Sequence, residues 1–174
     1  MRRRFSCLLA LALAACSWAQ APDARPPRFE DYPVKETWQG RLPNVKLTTR
    51  SERMFQTRLT NAAKEPPNFA GHYRFTVWGC GSNCISGALV DLDTGDVFSP
   101  PLAKSTGVMH FSVCQSAFEN SGVEHYVTSR LFVLRCGLNY SERLRRNIPD
   151  TYYFVWEGSH FRQILKTPGN PSNK

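Results

Sequence analysis

Two short spacings, Cys80-x3-Cys84 and His110-x3-Cys114, hold the residue types in this 174-residue chain with the strongest claim to chemistry. Thiolates and imidazoles are the preferred ligands of tetrahedral zinc, so the pair reads as two halves of a zinc site. Strand geometry argues against that. At about 3.3 Å of rise per residue, His110 and Cys114 stand roughly 13 Å apart on an extended segment and cannot share one ion. Dithiol redox chemistry needs Cys-x-x-Cys opening a helix, where the dipole lowers a thiol pKa; here the spacing is longer and the context is strand, turn and strand. A cysteine nucleophile needs a free thiol beside a base such as His72 or His110.

The remaining catalytic frames are also incomplete. No Gly-x-Ser-x-Gly elbow surrounds Ser82 or Ser86. Asp91, Asp93, Asp96 and Glu124 could converge as the paired carboxylates of a glycosidase, but their simpler role is in turns and on the surface. Asp93, Thr94 and Asp96 supply too few regularly spaced oxygens for a calcium loop. His72, at the mouth of a strand, is the histidine best placed for a functional role. With Arg74 and Trp78 it forms the expected binding set; Tyr73, Tyr152, Tyr153 and Trp156 are further aromatics suited to sugar or peptide contact or to a core.

The elements that must position these residues follow from periodicity. Thr49-Arg50-Ser51-Glu52 has the spacing of a capping box. Met54, Phe55, Leu59, Ala62 and Ala63 then fall on one helical face until Pro66-Pro67 stops it, predicting one amphipathic helix of about four turns lying on a sheet. From Gly71 the period becomes two: Tyr73, Phe75 and Val77 should face the core, and His72, Arg74 and Thr76 the outside or a partner layer. Ile85 to Leu92 predicts a central strand, turned by Asp93-Thr94-Gly95-Asp96 into a return through Val97 and Phe98. Further strands are expected over 108–113, 126–136, 151–156 and 160–165, the last two joined at Glu157-Gly158-Ser159. The fold class is α+β and mostly antiparallel: about seven strands in a meander or open barrel-like sheet, with one N-terminal helix.

Arg2-Arg3-Arg4 followed by an apolar run over 5–15 is an export signal, too short to span a bilayer. Leu13-Ala14-Ala15-Cys16 resembles a lipobox, which would make residues 1–15 the leader and lipidate Cys16. Cleavage near Ala19 or Ala21 is the rival, with 1–21 as signal peptide. Residues 22–47 are a proline-rich arm or tether, 48–168 a single β-rich domain and 169–174 a flexible tail. The expected address is exported, in the periplasm or as an outer-membrane lipoprotein. Cys80, Cys84, Cys114 and Cys136 remain after processing, an even count that reads as two disulfides in such a compartment, with Cys80–Cys84 and Cys114–Cys136 favoured. No metal or other cofactor is expected.

The formal charge of +8 is mostly uninformative about partners. Cleavage after residue 21 removes three arginines and no acid, leaving 19 basic against 14 acidic residues, or +5. Arg143-Leu144-Arg145-Arg146 is short and lacks interleaved aromatics, so no nucleic-acid partner is expected. Membrane contact is expected only through the lipid at Cys16, and an envelope protein or glycan is the expected partner.

Asn68-Phe69-Ala70-Gly71-His72-Tyr73, Trp78-Gly79-Cys80-Gly81 with Cys84, Asp91 to Gly95, and Thr128-Ser129-Arg130-Leu131 together resemble a family of uncharacterised small exported bacterial proteins, over about residues 50 to 165. The resemblance implies an exported domain and transfers no catalytic residue. With no complete catalytic frame, the expected function is a non-catalytic binding, inhibitor or accessory module of the envelope. The alternative is a cell-wall or polysaccharide hydrolase using His72 with a nearby carboxylate.

Overall fold

The computed structural model of the chain describes residues 25–169 except 36, 39, 41, 82–83, 103–108, 111–121 and 142–145; the side chains at 80–81, 84, 109–110, 137–141 and 146–147 also lie outside the description. Among these residues eight strands form two antiparallel sheets. In the first, β1 (Tyr73–Gly81) pairs with β2 (Cys84–Asp91), whose other edge carries β3 (Val97–Phe98) and β4 (Met109–His110) in tandem. The second is a meander of β5 (Val123–His125), β6 (Leu131–Ser141), β7 (Arg146–Trp156) and β8 (Phe161–Thr167). The chain is therefore mostly antiparallel β as expected, but the single meander or open barrel is replaced by two separate sheets.

The sheets meet through an aromatic core. Phe69, Tyr73 and Phe75 from the start of the first sheet pack with Phe132, Phe154 and Trp156 of the second. Phe75 and Phe132 lie 5.0 Å apart edge to face, as do Tyr73 and Trp156 at 5.2 Å. Such contacts add to the large apolar area that each ring removes from water. The opposite face of the first sheet, with Trp78, Ala88, Val90 and Leu92, is covered by Leu59 and Ala63 and by Trp38, Val45 and Leu47 of the proline-rich segment. The opposite face of the second sheet packs Leu131, Val133 and Val155 against Phe29 and Tyr32.

Several sequence expectations need correction. The helix is two short ones, α1 (Arg50–Met54) and α2 (Gln56–Ala62), interrupted at Phe55, whose backbone leaves the helical region. Glu52 closes the capping box as expected, but Met54 is 67% exposed because the break turns it away from the face that buries Leu59. Val77 is 40% exposed, while its neighbour Trp78 is buried beneath Phe55 and α2; the side of β1 toward the second sheet is covered only as far as Phe75. Of the strand expected over 126–136, residues 126–130 form the connection between β5 and β6 and the strand begins at Leu131, and of the strand expected over 108–113 only Met109 and His110 are described.

The proline-rich segment is docked along the domain. Ser129, buried, donates its hydroxyl to the carbonyls of Phe29 and Tyr32, and the Arg130 N–H donates to Tyr32. Further along, the Lys46 N–H donates to Gly95 and its ammonium pairs with Asp96 at 3.0 Å, which holds the Asp96 carboxyl below its ordinary pKa. Gly95 sits at φ 80, and a Cβ there would meet the Asn44 carbonyl oxygen at 2.2 Å, so both the turn and the passing segment require glycine.

Phe132 touches the aromatic rings of both layers, so Phe132→Ala should lower unfolding stability by about 3–5 kcal/mol. Leu165→Ala, at a partly exposed site on β8, should stay within about 1 kcal/mol. Urea unfolding followed by tryptophan fluorescence checks both; a similar cost at the two positions would contradict the core as described.

Candidate functional site

His72 is held by a tight turn that the Asn-Phe-Ala-Gly-His-Tyr block encodes residue by residue. The Asn68 side chain accepts from the Phe75 N–H at 2.7 Å and donates to the Phe75 carbonyl at 2.9 Å, as an adjacent strand would. Phe69 anchors the turn in the core. Ala70 and Gly71 then take positive φ values of 44 and 89, the first a strained conformation for a residue with a Cβ. Their N–H groups donate to the carbonyls of Tyr126 and Val127, and the Leu92 N–H donates to the His72 carbonyl at 2.9 Å. The histidine backbone is thus tied to both sheets.

The turn forms one wall of a cleft of about 530 Å³. Val34 and Lys35 of the docked segment form another, and Arg130, Trp156, Glu157 and Gly158 close it. Two carboxylates flank the imidazole: Asp91 Oδ1 lies 3.8 Å from Nε2, and Asp93 Oδ2 lies 3.6 Å from Nδ1, both beyond hydrogen-bond distance. Nδ1 is buried and makes no hydrogen bond. Asp91 is fixed by its own turn, its Oδ1 accepting from the N–H groups of Asp93 and Thr94.

The polar groups of the cleft are unevenly satisfied. Burial pushes the Tyr73 phenol pKa up; the nearby Trp156 N–H works against this shift and the carboxylates of Asp91, Asp93 and Asp96 reinforce it. Tyr73 therefore remains a neutral donor. The Trp156 indole N–H is near enough to influence that phenol, yet its geometry falls short of a hydrogen bond and the buried nitrogen is unpartnered. Glu157 is held ionised chiefly by the Arg162 guanidinium. Arg130 donates to the Trp156 carbonyl at 3.3 Å and, with Lys35, brings positive charge to the rim.

His72, Asp91 and Asp93 could hold a cation, since one donor atom from each lies within 4.8 Å of the others. The ring nitrogens nevertheless approach different carboxylates, and a single ion can take only one of them. A histidine beside carboxylates is also the pairing that general-base catalysis uses, although neither carboxylate is within hydrogen-bond distance of the ring. The rim adds hydrogen-bonding and charged groups, Lys35, Arg130 and Glu157, that a ligand in the cleft can meet.

The expected binding residues do not converge in one pocket. His72 lines the cleft; Arg74 and Trp78 line a groove between β1 and α2. Lys35, Arg130 and Glu157 were not expected in a site, and no spacing in the sequence links them. Asp91 and Asp93, expected in a turn, flank the histidine as well. Cys136 is buried on β6 and takes part in a disulfide. No disulfide is seen whole among the described residues, because Cys114 and the side chains of Cys80 and Cys84 lie outside them, as do Cys16 and the side chain of His110. Comparison with protein-family models, curated proteins and solved structures returned no match.

His125 supports the same turn: its Nδ1 lies 3.0 Å from the Asn68 carbonyl and its ring stacks on Phe132. Burial is the main cause of its lowered pKa. Below the ordinary value of 6.5 the unfolded chain takes up a proton that the folded chain refuses, so stability is full above that pH and falls beneath it. Melting temperature should drop as pH is lowered from 7.5 to 5, and His125→Phe should flatten that drop. Equal slopes for the two proteins would exclude His125 as the cause.

Proposed function

We propose that this chain is an exported domain of the bacterial envelope that acts as a binding, inhibitor or accessory module, with the His72 cleft receiving its ligand. The observation carrying this reading is a recess whose rim brings the exposed cations Lys35 and Arg130 together with His72 and the exposed Glu157. Lys35 and Arg130, both exposed at the rim, suit an acidic substituent, and the polar groups beside them suit the hydroxyls of a sugar. A fragment of envelope glycan carrying a carboxylate combines these features.

Export rests on the charged and apolar leader and on the resemblance to small exported bacterial proteins. In an oxidising compartment the retained cysteines brace the sheets as two disulfides, Cys80–Cys84 and Cys114–Cys136, and Cys16 is either the lipidated first residue or removed with the leader. The second reading is a hydrolase acting on cell wall or polysaccharide through His72 and a carboxylate. The placement of Asp91 and Asp93 beside His72 at the cleft favours it.

Soluble envelope glycan fragments titrated into the mature protein should bind, and Arg130→Glu should weaken binding by about tenfold or more through charge reversal at the rim. Intact mass and peptide mapping of the same sample should show two internal disulfides. Turnover of the fragments that disappears in folded His72→Ala would replace the binding reading with the hydrolase; free thiols at these four cysteines would remove the proposed bracing.

A further inference from the structure

The outer edge of β1, away from the His72 cleft, has the makings of a second recognition surface. Among the described strands β1 pairs with β2 alone, and β3 and β4 both lie on the far edge of β2. At its outer edge, Tyr73 exchanges backbone hydrogen bonds with Phe69, and Phe75 is satisfied by the Asn68 side chain. Backbone groups on one edge of an antiparallel strand recur every second residue, so the next outward N–H and C=O belong to Val77. Neither is paired among the described residues, and the Val77 side chain is 40% exposed.

Two grooves flank this position. One, of about 350 Å³, is lined by Phe75, Val123 and His125, and burial keeps that histidine neutral. The other, of about 370 Å³, is lined by Arg58, Asn61 and Trp78. Arg74 and Val77 line both. Arg74 Nε and Trp78 Nε1 are buried donors without partners, whereas the Arg74 NH1 group is held by the Pro66 carbonyl.

We propose that the β1 edge at Val77 docks an extended peptide in which acidic and apolar residues alternate. An added strand would recover the unpaired Val77 groups as main-chain hydrogen bonds, leaving side-chain pockets to set specificity. Because successive residues of a strand point to opposite faces, one set of its side chains enters the groove in which Val77 and Val123 lie among the polar Asn68, Thr76 and His125. The other meets Arg74 and Arg58, where carboxylates match the charge; among the described residues Glu65 is the one acid lining that groove. The surface accounts for the even-numbered residues of β1, Arg74 and Trp78, that the His72 cleft leaves unused.

The test uses the mature full chain with a blocked hexapeptide of alternating glutamate and valine, and a matched peptide with lysine in place of glutamate. Wild type should bind the acidic peptide in preference and gain hydrogen-exchange protection at the Val77 amide. Val77→Pro removes the edge donor at a strand position where proline is tolerated, and should weaken binding by about tenfold. Arg74→Glu should reverse the peptide preference and provides a check if the proline variant does not fold. Equal binding of both peptides by wild type, no protection at Val77, or self-association through this edge that excludes the peptide would overturn the proposal. Glycan binding in the His72 cleft is unaffected by any of these outcomes, so the two sites fail separately.

Discussion

Aromatic contact between two sheets is the constraint on which the rest of the molecule depends. Phe69, Phe75, Phe132, Phe161 and Trp156 share one cluster, and most of their close pairs meet edge to face. Neither four-stranded sheet buries that surface by itself; each supplies the other with its cover. The backbone of β1 must therefore begin where Tyr73 and Phe75 can enter this layer, which leaves the preceding residues to form the turn carrying His72.

That turn stores the unusual geometry of the molecule. Ala70 adopts a positive φ that its Cβ disfavours, and hydrogen bonds to Tyr126 and Val127 hold it there. Strain of this kind persists where surrounding contacts determine the backbone, and here it aims a histidine at a cleft. The docked proline-rich segment contributes equally: Ser129 and Arg130 tie it to the second sheet, and its Lys35 becomes part of the cleft rim. A segment whose composition suggests a tether is thereby a wall of the candidate site.

Local signals were legible wherever a residue's role is set by its immediate neighbours. The capping box at Thr49 and Glu52, the hairpin at Asp91 to Gly95 and the period-two pattern of Tyr73 and Phe75 are all seen in the structure. Val77 and Met54 depart from expectation because periodicity names a face and not what lies over it. At Val77 the cover ends; at Met54 the helix breaks. The expected binding residues divided for the same reason, since His72 lines the cleft with Trp156 and Glu157 while Arg74 and Trp78 line the groove beside α2.

The sequence by itself determined antiparallel strands, their turns and the helix start, because hydrogen bonds and side-chain alternation over a few residues suffice for these. Only the tertiary structure decided that the strands divide between two sheets, that the proline-rich segment docks, and that Lys35, Arg130 and Glu157 join His72 around one cleft. Those outcomes depend on which apolar faces cover each other across residues distant in the chain, and no local pattern carries that information.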